Sequence, residues 1–359
     1  MTTKSIEMGD SKTCRHYTII KSQSKVATNV LLCFPGGGEK MKDFLSFTNV
    51  ADIEDTDTTI IVFEGQVSNN TFTWQNAFPW LKKGSIQNDI EFIDTVLSEE
   101  HLIDSNPNLF LTGKSDGAGF CMLYSNLSKY QSYIKGIFVC SGTYFGLVNA
   151  ESESNIGLYD SDNICKLDDN VDIQVPSNIV IPKKNISITI LHGTSDKIMS
   201  YMGQEYRNQK AYYGSDSAWK EFDGSIFYDD QKNEVVSKTL TANIKEFVNV
   251  IIDINQLNEN YQHVKHFTVN VGEYSALSCT NVDHTMSLNF ITIQDQDHDW
   301  SGHIFSGPNS KVSNQANFQL DATYLLCQFF NWKLNYPPTY HNHVVDSTHI
   351  PSNFLKYSV

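Results

Sequence analysis

The chain has 359 residues, 40% of them hydrophobic and 12% aromatic, which is enough to bury a substantial core. Its formal net charge of −15 argues against a nucleic-acid binder and against adhesion to anionic membranes, because both depend on clustered lysine and arginine. Neutral or cationic substrates are compatible with this charge. The sequence contains neither the apolar core of a secretory signal nor a run of about 18 apolar residues, so we expect a soluble, cytoplasmic protein. Seven scattered cysteines without a Cys-x-x-Cys pair indicate reduced thiols, and we expect neither a cofactor nor a metal.

Apolar strands alternate with polar loops in the first part of the chain. Strands are predicted at 15–22, 29–34 and 58–63, the last two as continuous apolar runs typical of strands buried on both faces. The glycine run from Pro35 to Glu39 follows the second strand, where backbone N–H groups can approach a ligand closely. We assign Gly37 to one half of an oxyanion hole, with a plain glycine turn as the alternative. A phosphate loop is disfavoured, since no Lys-Ser/Thr closes the run.

A loop rich in aromatic residues and an amphipathic helix come next. The loop at 68–80 includes Trp74, whose side chain either lines a substrate pocket or packs in the core. The helix is predicted at 85–102, because its apolar residues recur at spacings of four, three and four.

The segment from Leu109 to Leu127 has the features of a nucleophile elbow. A short apolar strand ends in Gly113-Lys114-Ser115-Asp116-Gly117 and is followed at once by helical spacing of apolar residues. The turn between them is sharp, and glycine at 113 and 117 leaves no Cβ to clash. We therefore assign Ser115 as the nucleophile, with a chance match to a short pattern as the alternative.

The second half of the chain contains three further predicted strands, at 136–142, 186–193 and 288–295. Residues 144–184 are rich in Asp and Glu and are interpreted as a polar surface insertion. A calcium site is the alternative, which the absence of an EF-hand spacing disfavours. The mixed region 200–285, with a helix at 242–257, is a candidate lid. A helix is predicted at 317–332, and 334–359 is interpreted as a loop-like tail.

Four candidate elements come at the ends of predicted strands: the glycine run, Ser115, Asp196 and His298. Strands separated by helices predict a mostly parallel central sheet with helices on both faces, in one domain spanning 14–333. Ligands bind such sheets at the carboxyl ends of the strands. The chain order Ser, Asp, His is that of α/β-hydrolases. The sequence therefore predicts a catalytic triad in this fold.

The proposed roles follow from proton chemistry. His298 would take the proton of Ser115, Asp196 would orient the imidazole, and the amides of Gly37 and Asp116 would bind the oxyanion. His192 is interpreted as a buried structural histidine. Four other histidines compete for the role of the base: His263, His266, His284 and His303. A metal site is the rival interpretation of the last loop, with the candidate ligands Asp295, Asp297, His298 and His303.

The chain resembles the polyhydroxybutyrate depolymerase and feruloyl esterase group of α/β-hydrolases, including its acetylxylan esterase relatives. The matching segments are Phe34 to Gly37, Asp89 to Phe92, Ile103-Asp104, Gly113 to Gly117, His192 to Asp196, Asp297 to Gly302, Asp321 to Thr323 and Phe329-Phe330. The resemblance implies a serine hydrolase that cleaves a small-molecule or polymeric carboxylic ester. Candidate substrate contacts are Trp74 and Trp300.

Several residues depart from the pattern of that group. Pro35 replaces the turn histidine, Asp297 replaces the glycine before the catalytic histidine, and Ser301 replaces a proline. Asp116 replaces a small or neutral residue, and its charge would lower activity unless it points away or serves a cationic substrate. Two alternatives therefore stay open: a lipase, thioesterase or peptidase with the same triad, and a catalytically silent binding protein on a hydrolase scaffold.

Overall fold

A computed structural model provides the coordinates. The structure describes residues 1–8, 13–24, 27–55, 57–68, 71–74, 86–142, 145–147, 186–196, 198–199, 201, 204–207, 227–228, 234–235, 238–241, 244–255, 257, 262–269, 272–280, 285–294, 296–301, 321–334, 339–340 and 343–344.

These residues form strands and helices with the following bounds. The strands are β1 Thr2–Met8, β2 Thr13–Ile20, β3 Asn29–Phe34, β4 Thr58–Phe63, β5 Gln66–Ser68, β6 Thr71–Thr73, β7 Asn108–Lys114, β8 Ile134–Cys140, β9 Phe145–Leu147, β10 Ser187–Gly193, β11 Gln204–Arg207, β12 Phe227–Tyr228, β13 Glu234–Val235, β14 Lys238–Thr241, β15 Gln262–Val269, β16 Gly272–Thr280, β17 Ser287–Ile293, β18 Thr339–Tyr340 and β19 His343–Val344. The α-helices are α1 Met41–Thr48, α2 Ile86–Glu99, α3 Asp116–Leu127, α4 Ile244–Asn255 and α5 Ala322–Phe330, and short 3₁₀ helices span Val50–Asp52 and Gln131–Tyr133.

The central sheet has ten strands in the order β1-β2-β4-β3-β7-β8-β10-β17-β16-β15. The six strands from β4 to β17 in this order pair in parallel. Two antiparallel strands extend the sheet at each side. Strand order, direction and connecting helices are those of an α/β-hydrolase fold, as the sequence predicts.

Helices cover both faces of this sheet because the inner strands are apolar on both sides. Alternate residues of β3 point to opposite faces: Val30, Leu32 and Phe34 join one buried cluster, and Leu31 and Cys33 join the other. Side chains of α2, α3 and α4 complete the first cluster, and those of α1 and α5 complete the second. The predicted layering is confirmed.

The structure changes the interpretation of part of the candidate lid. Within 200–285, β15 and β16 form an antiparallel hairpin that extends the central sheet beside β17, so this part belongs to the sheet. The strand β14 of the same region pairs with β11 on one side and, on the other, with β9 at the start of the acidic insertion. The rest of the insertion, 148–184, lies outside the described residues, as does most of the tail.

None of the helices in the described ranges combines the length and the apolar character needed to cross a membrane. In the same ranges, six cysteines are free thiols and five of these are buried.

Candidate active site

Ser115 stands at a strained turn between β7 and α3. Its backbone adopts φ 52° and ψ −119°, a conformation that is rare for a residue with a side chain and that marks functional turns. The strand, turn and helix predicted here are all present. A Cβ on Gly117 would lie 2.1 Å from the carbonyl oxygen of Phe34, and one on Gly113 would lie 2.6 Å from Gly117. The turn therefore requires both glycines.

Asp196 and His298 lie together at the carboxyl ends of the adjacent strands β10 and β17. The distance from His298 Nδ1 to Asp196 Oδ2 is 2.8 Å, and both side chains are buried. The backbone N–H groups of Ile198 and Met199 donate to the second carboxylate oxygen at 2.9 and 2.7 Å. Burial by itself raises the pKa of Asp196, but the attraction and hydrogen bond of His298 outweigh it and hold the pKa below its ordinary value. The carboxylate thus stays ionised and fixes the orientation of the imidazole.

His192 is buried beside this pair, as the sequence predicts. Its Nε2 lies 2.8 Å from the carbonyl oxygen of Met199 and 3.3 Å from Asp196 Oδ2. Because a carbonyl can only accept, Nε2 carries the proton and donates it to Met199. Burial lowers the pKa of His192 more than Asp196 raises it, so the ring is neutral near pH 7. His192 therefore holds the turn whose amides bind Asp196.

Replacing His192 with glutamine should reduce the acid sensitivity of the fold. The folded-state pKa lies below the unperturbed value of 6.5, so below pH 6.5 the unfolded chain binds the proton more readily. The associated stability is present above pH 6.5 and is lost as the pH falls through the folded-state pKa. Glutamine can keep a donor near Met199 without titrating. Urea midpoints at pH 7.5 and 5.0 would differ less in His192→Gln than in the wild type.

The control for this prediction is Tyr201→Phe, because the Tyr201 ring lies beside His192 with centroids 6.0 Å apart and its raised pKa lies far above both pH values, so this variant should leave the pH dependence unchanged. An unaltered difference between the two pH values in His192→Gln would contradict the assignment of a neutral buried ring.

The glycine run forms a tight turn next to the elbow. The N–H of Glu39 donates to the carbonyl of Gly36 at 3.1 Å and Gly38 has φ 78°, which together define a type II turn. The N–H of Gly36 donates to Glu39 Oε2 at 2.8 Å and that of Gly38 to Phe72 at 2.6 Å. The exposed Gly37 lies between them, and its N–H has no acceptor among the described residues. The N–H groups of Gly36, Gly38 and Glu39 all have acceptors, so the Gly37 amide is the one of this turn that can bind a ligand.

The carboxylate of Asp116 is directed to residues of the aromatic loop. Its Oδ2 accepts hydrogen bonds from Thr73 Oγ1 at 2.9 Å and from the Trp74 amide at 2.8 Å, and the side chain is buried. A Cβ on Gly37 would lie 3.6 Å from Asp116 Cβ, so the glycine turn and the start of α3 are in contact. The charge of Asp116 is therefore used inside the protein, where it joins three segments of the site.

Both tryptophans that the sequence proposes as substrate contacts are fully buried. Trp74 Nε1 donates to the Pro35 carbonyl at 2.8 Å, and its ring stacks on Phe120 with centroids 4.9 Å apart. Trp300 Nε1 donates to Thr323 Oγ1 at 3.0 Å. Neither ring presents a surface to a ligand, because each fills the core with its N–H satisfied. This placement favours a role in positioning the loops rather than the predicted role as substrate contacts.

A buried ion pair beneath the site was not anticipated from the sequence. Lys114 Nζ lies 2.6 Å from Glu39 Oε1, with the two side chains 4% and 6% exposed. Burial by itself lowers the pKa of Lys114, but Glu39 and then Asp299 raise it more, so the net shift is upward. The available signal was a lysine at the end of an otherwise apolar strand, which needs a buried partner.

The alternatives for the last loop are only partly within the described residues. His263 and His266 lie on β15, whereas His284 and His303 lie outside the described ranges, as does Asp295. In the part of the chain that the structure describes, no three His, Cys, Asp or Glu side chains are grouped to hold a metal ion.

No family model and no curated protein matches the chain. Among solved structures, it is similar to a thermophilic esterase from the Planctomycetes species Thermogutta terrifontis, at 10% identity over 90% of this chain and 93% of that one, with a TM-score of 0.45. It is also similar to an acetyl xylan esterase from Aspergillus awamori, at 13% identity over 83% of this chain and 94% of that one, with a TM-score of 0.42. The similarity to a monoglyceride lipase from Saccharomyces cerevisiae has 10% identity over 53% of this chain and 76% of that one, with a TM-score of 0.33.

Proposed function

We propose that this protein is a serine hydrolase that cleaves carboxylic esters with Ser115, His298 and Asp196 as its triad. The observation that carries the proposal is the 2.8 Å contact between His298 Nδ1 and the Asp196 carboxylate, at the same edge of the sheet as the strained Ser115 turn. A histidine oriented in this way presents Nε2 as a base, which a serine hydroxyl needs to become a nucleophile.

The reaction would proceed in two steps. Ser115 Oγ attacks the ester carbonyl carbon while its proton passes to His298 Nε2, and the N–H groups of Gly37 and Asp116 stabilise the oxyanion. Collapse of this intermediate breaks the bond to the alcohol, which leaves with the proton from His298. A water molecule then attacks the acyl-serine with His298 as base, and the free acid departs. Asp196 remains ionised throughout and stabilises the imidazolium.

The proposed substrate class rests on the sequence motifs that resemble those of the polyhydroxybutyrate depolymerase and feruloyl esterase group. They support esters of hydroxyacids, sugars or aromatic acids. The internal use of the Asp116 carboxylate removes the main argument for a cationic substrate, since Thr73 and Trp74 already satisfy Oδ2.

Labelling with a fluorophosphonate probe tests the proposal, with intact mass and peptide mapping as the readout. We expect one adduct on Ser115, none in Ser115→Ala, and a rate roughly a thousandfold lower in His298→Ala. The control is Ser46→Ala, which removes an exposed hydroxyl on α1 and should label like the wild type.

Rates on short-chain esters, long-chain esters, thioesters and peptide esters would then separate an esterase from a lipase, thioesterase or peptidase. A folded protein that forms no adduct would instead support the binding-protein alternative. An adduct on another serine would mean that the nucleophile is wrongly assigned.

A further inference from the structure

The glycine turn and the nucleophile elbow are joined by one carboxylate. Glu39 Oε1 accepts from Lys114 Nζ at 2.6 Å, while Glu39 Oε2 accepts from the Gly36 N–H at 2.8 Å. Lys114 is the residue immediately before Ser115, and Gly36 is the residue immediately before Gly37. A single side chain thus connects the neighbours of the candidate nucleophile and of the candidate oxyanion donor.

The carboxylate also fills the space under the turn. A Cβ on Gly36 would lie 3.0 Å from Glu39 Cδ and 3.1 Å from each carboxylate oxygen, so the group packs directly against the Gly36 backbone. On the other side of the pair, Lys114 Nζ lies 5.3 Å from the centre of the Phe47 ring. The ion pair therefore has little room to shift without moving the turn.

The loop that carries the candidate base also acts on Lys114 electrostatically. The charge of Asp299, the residue after His298, raises the pKa of Lys114, and the Asp299 carbonyl accepts from Ser141 Oγ at 3.0 Å at the end of β8. Lys114, in the elbow strand, is thus paired with the glycine turn through Glu39.

Stability alone does not account for this arrangement. Removing two charges from water costs more than their attraction commonly returns, and apolar residues of similar volume are often neutral or stabilising in their place. Because Glu39 of this pair also accepts from the Gly36 N–H, the pair is better explained by the position that it imposes on the backbone at Gly36.

We propose that Glu39 and Lys114 are positioning residues: Lys114 holds the Glu39 side chain, and the hydrogen bond from the Gly36 N–H to that side chain keeps the Gly37 amide in place relative to Ser115. The inference rests on the proposed esterase function. A displaced oxyanion donor weakens binding of the transition state more than binding of the substrate, so its loss lowers kcat with little change in KM.

Two double variants separate positioning from stability. Glu39→Leu with Lys114→Met removes both charges and the acceptor for the Gly36 N–H. Glu39→Gln with Lys114→Met also removes both charges but keeps a side-chain oxygen for Gly36. The control is Arg15→Met with Asp89→Leu, which removes a comparably buried ion pair, 2.8 Å long, between β2 and α2.

The measurements are kcat and KM on an ester that the wild type hydrolyses, and hydrogen exchange of peptides covering 34–40 and 108–114. The leucine variant should lose roughly tenfold to a hundredfold in kcat and exchange faster in 34–40, because one oxyanion donor is worth at least that range. The glutamine variant should keep most of the wild-type kcat and of the wild-type protection from exchange in 34–40. The control pair should change neither quantity.

Unchanged exchange in 34–40 of the leucine variant would overturn the inference, as would an unchanged kcat in that variant. Equal losses in the two double variants would also overturn it, since they would report only the removal of charge. If the wild type neither hydrolyses esters nor labels, the proposed function fails, and the exchange measurement still decides whether the Glu39 side chain holds the turn through the Gly36 N–H.

Discussion

Replacing Asp196 with asparagine should lower kcat about ten-thousandfold while the protein stays folded. The carboxamide oxygen can still accept from the Ile198 and Met199 amides, so the turn keeps its hydrogen bonds. The carboxamide nitrogen then faces His298 Nδ1 and donates to it. Nδ1 becomes the acceptor, Nε2 carries the proton, and His298 cannot take the proton of Ser115.

The measurement is kcat on the identified ester, together with the rate of fluorophosphonate labelling. Asp94→Asn is the matched control, because Asp94 is also buried and accepts from Tyr124 and Ser128 hydroxyls at 2.7 Å, away from the site. That variant should lose stability without a comparable loss in kcat per folded molecule. More than a tenth of the wild-type kcat in Asp196→Asn would exclude Asp196 as the orienting carboxylate.

The parts of the fold that the sequence predicts are those that depend on local pattern. The bounds of β3 and β4 could be predicted to the residue, because a strand covered on both faces is a nearly continuous run of apolar and β-branched residues. The glycine spacing around Ser115 predicted the elbow for an equally local reason, since only glycine fits beside the turn. The order of Asp196 and His298 after successive inner strands then placed them at the same edge.

The parts that the sequence did not predict depend on distant partners. The strands β15 and β16 contain mixed polar and apolar residues, and their place beside β17 is set by pairing, which no single run encodes. Glu39 and Lys114 are 75 residues apart, and each is an ordinary surface residue type until the fold buries both. Trp74 was ambiguous for the same reason, because an aromatic ring on a loop fits a pocket or a core equally well.

Replacing Gly117 with alanine should destabilise the protein by about 3 kcal/mol or more and abolish activity. The new methyl carbon would lie 2.1 Å from the Phe34 carbonyl oxygen and 2.5 Å from that of Pro35. These atoms lie at the end of the inner strand β3, so the clash can be removed only if either α3 or the glycine turn moves. Either shift separates Ser115 from the Gly37 amide, so even the folded fraction should label slowly.

Urea unfolding and fluorophosphonate labelling of Gly117→Ala test this result, with Gly37→Ala as the stability control. A methyl group on Gly37 meets its nearest neighbour, Asp116 Cβ, at 3.6 Å, an ordinary contact, so that variant should unfold at nearly the wild-type urea concentration. Wild-type stability and labelling in Gly117→Ala would contradict the requirement for glycine at this position. The two glycines therefore distinguish a steric requirement of the elbow from a general intolerance of the site to added volume.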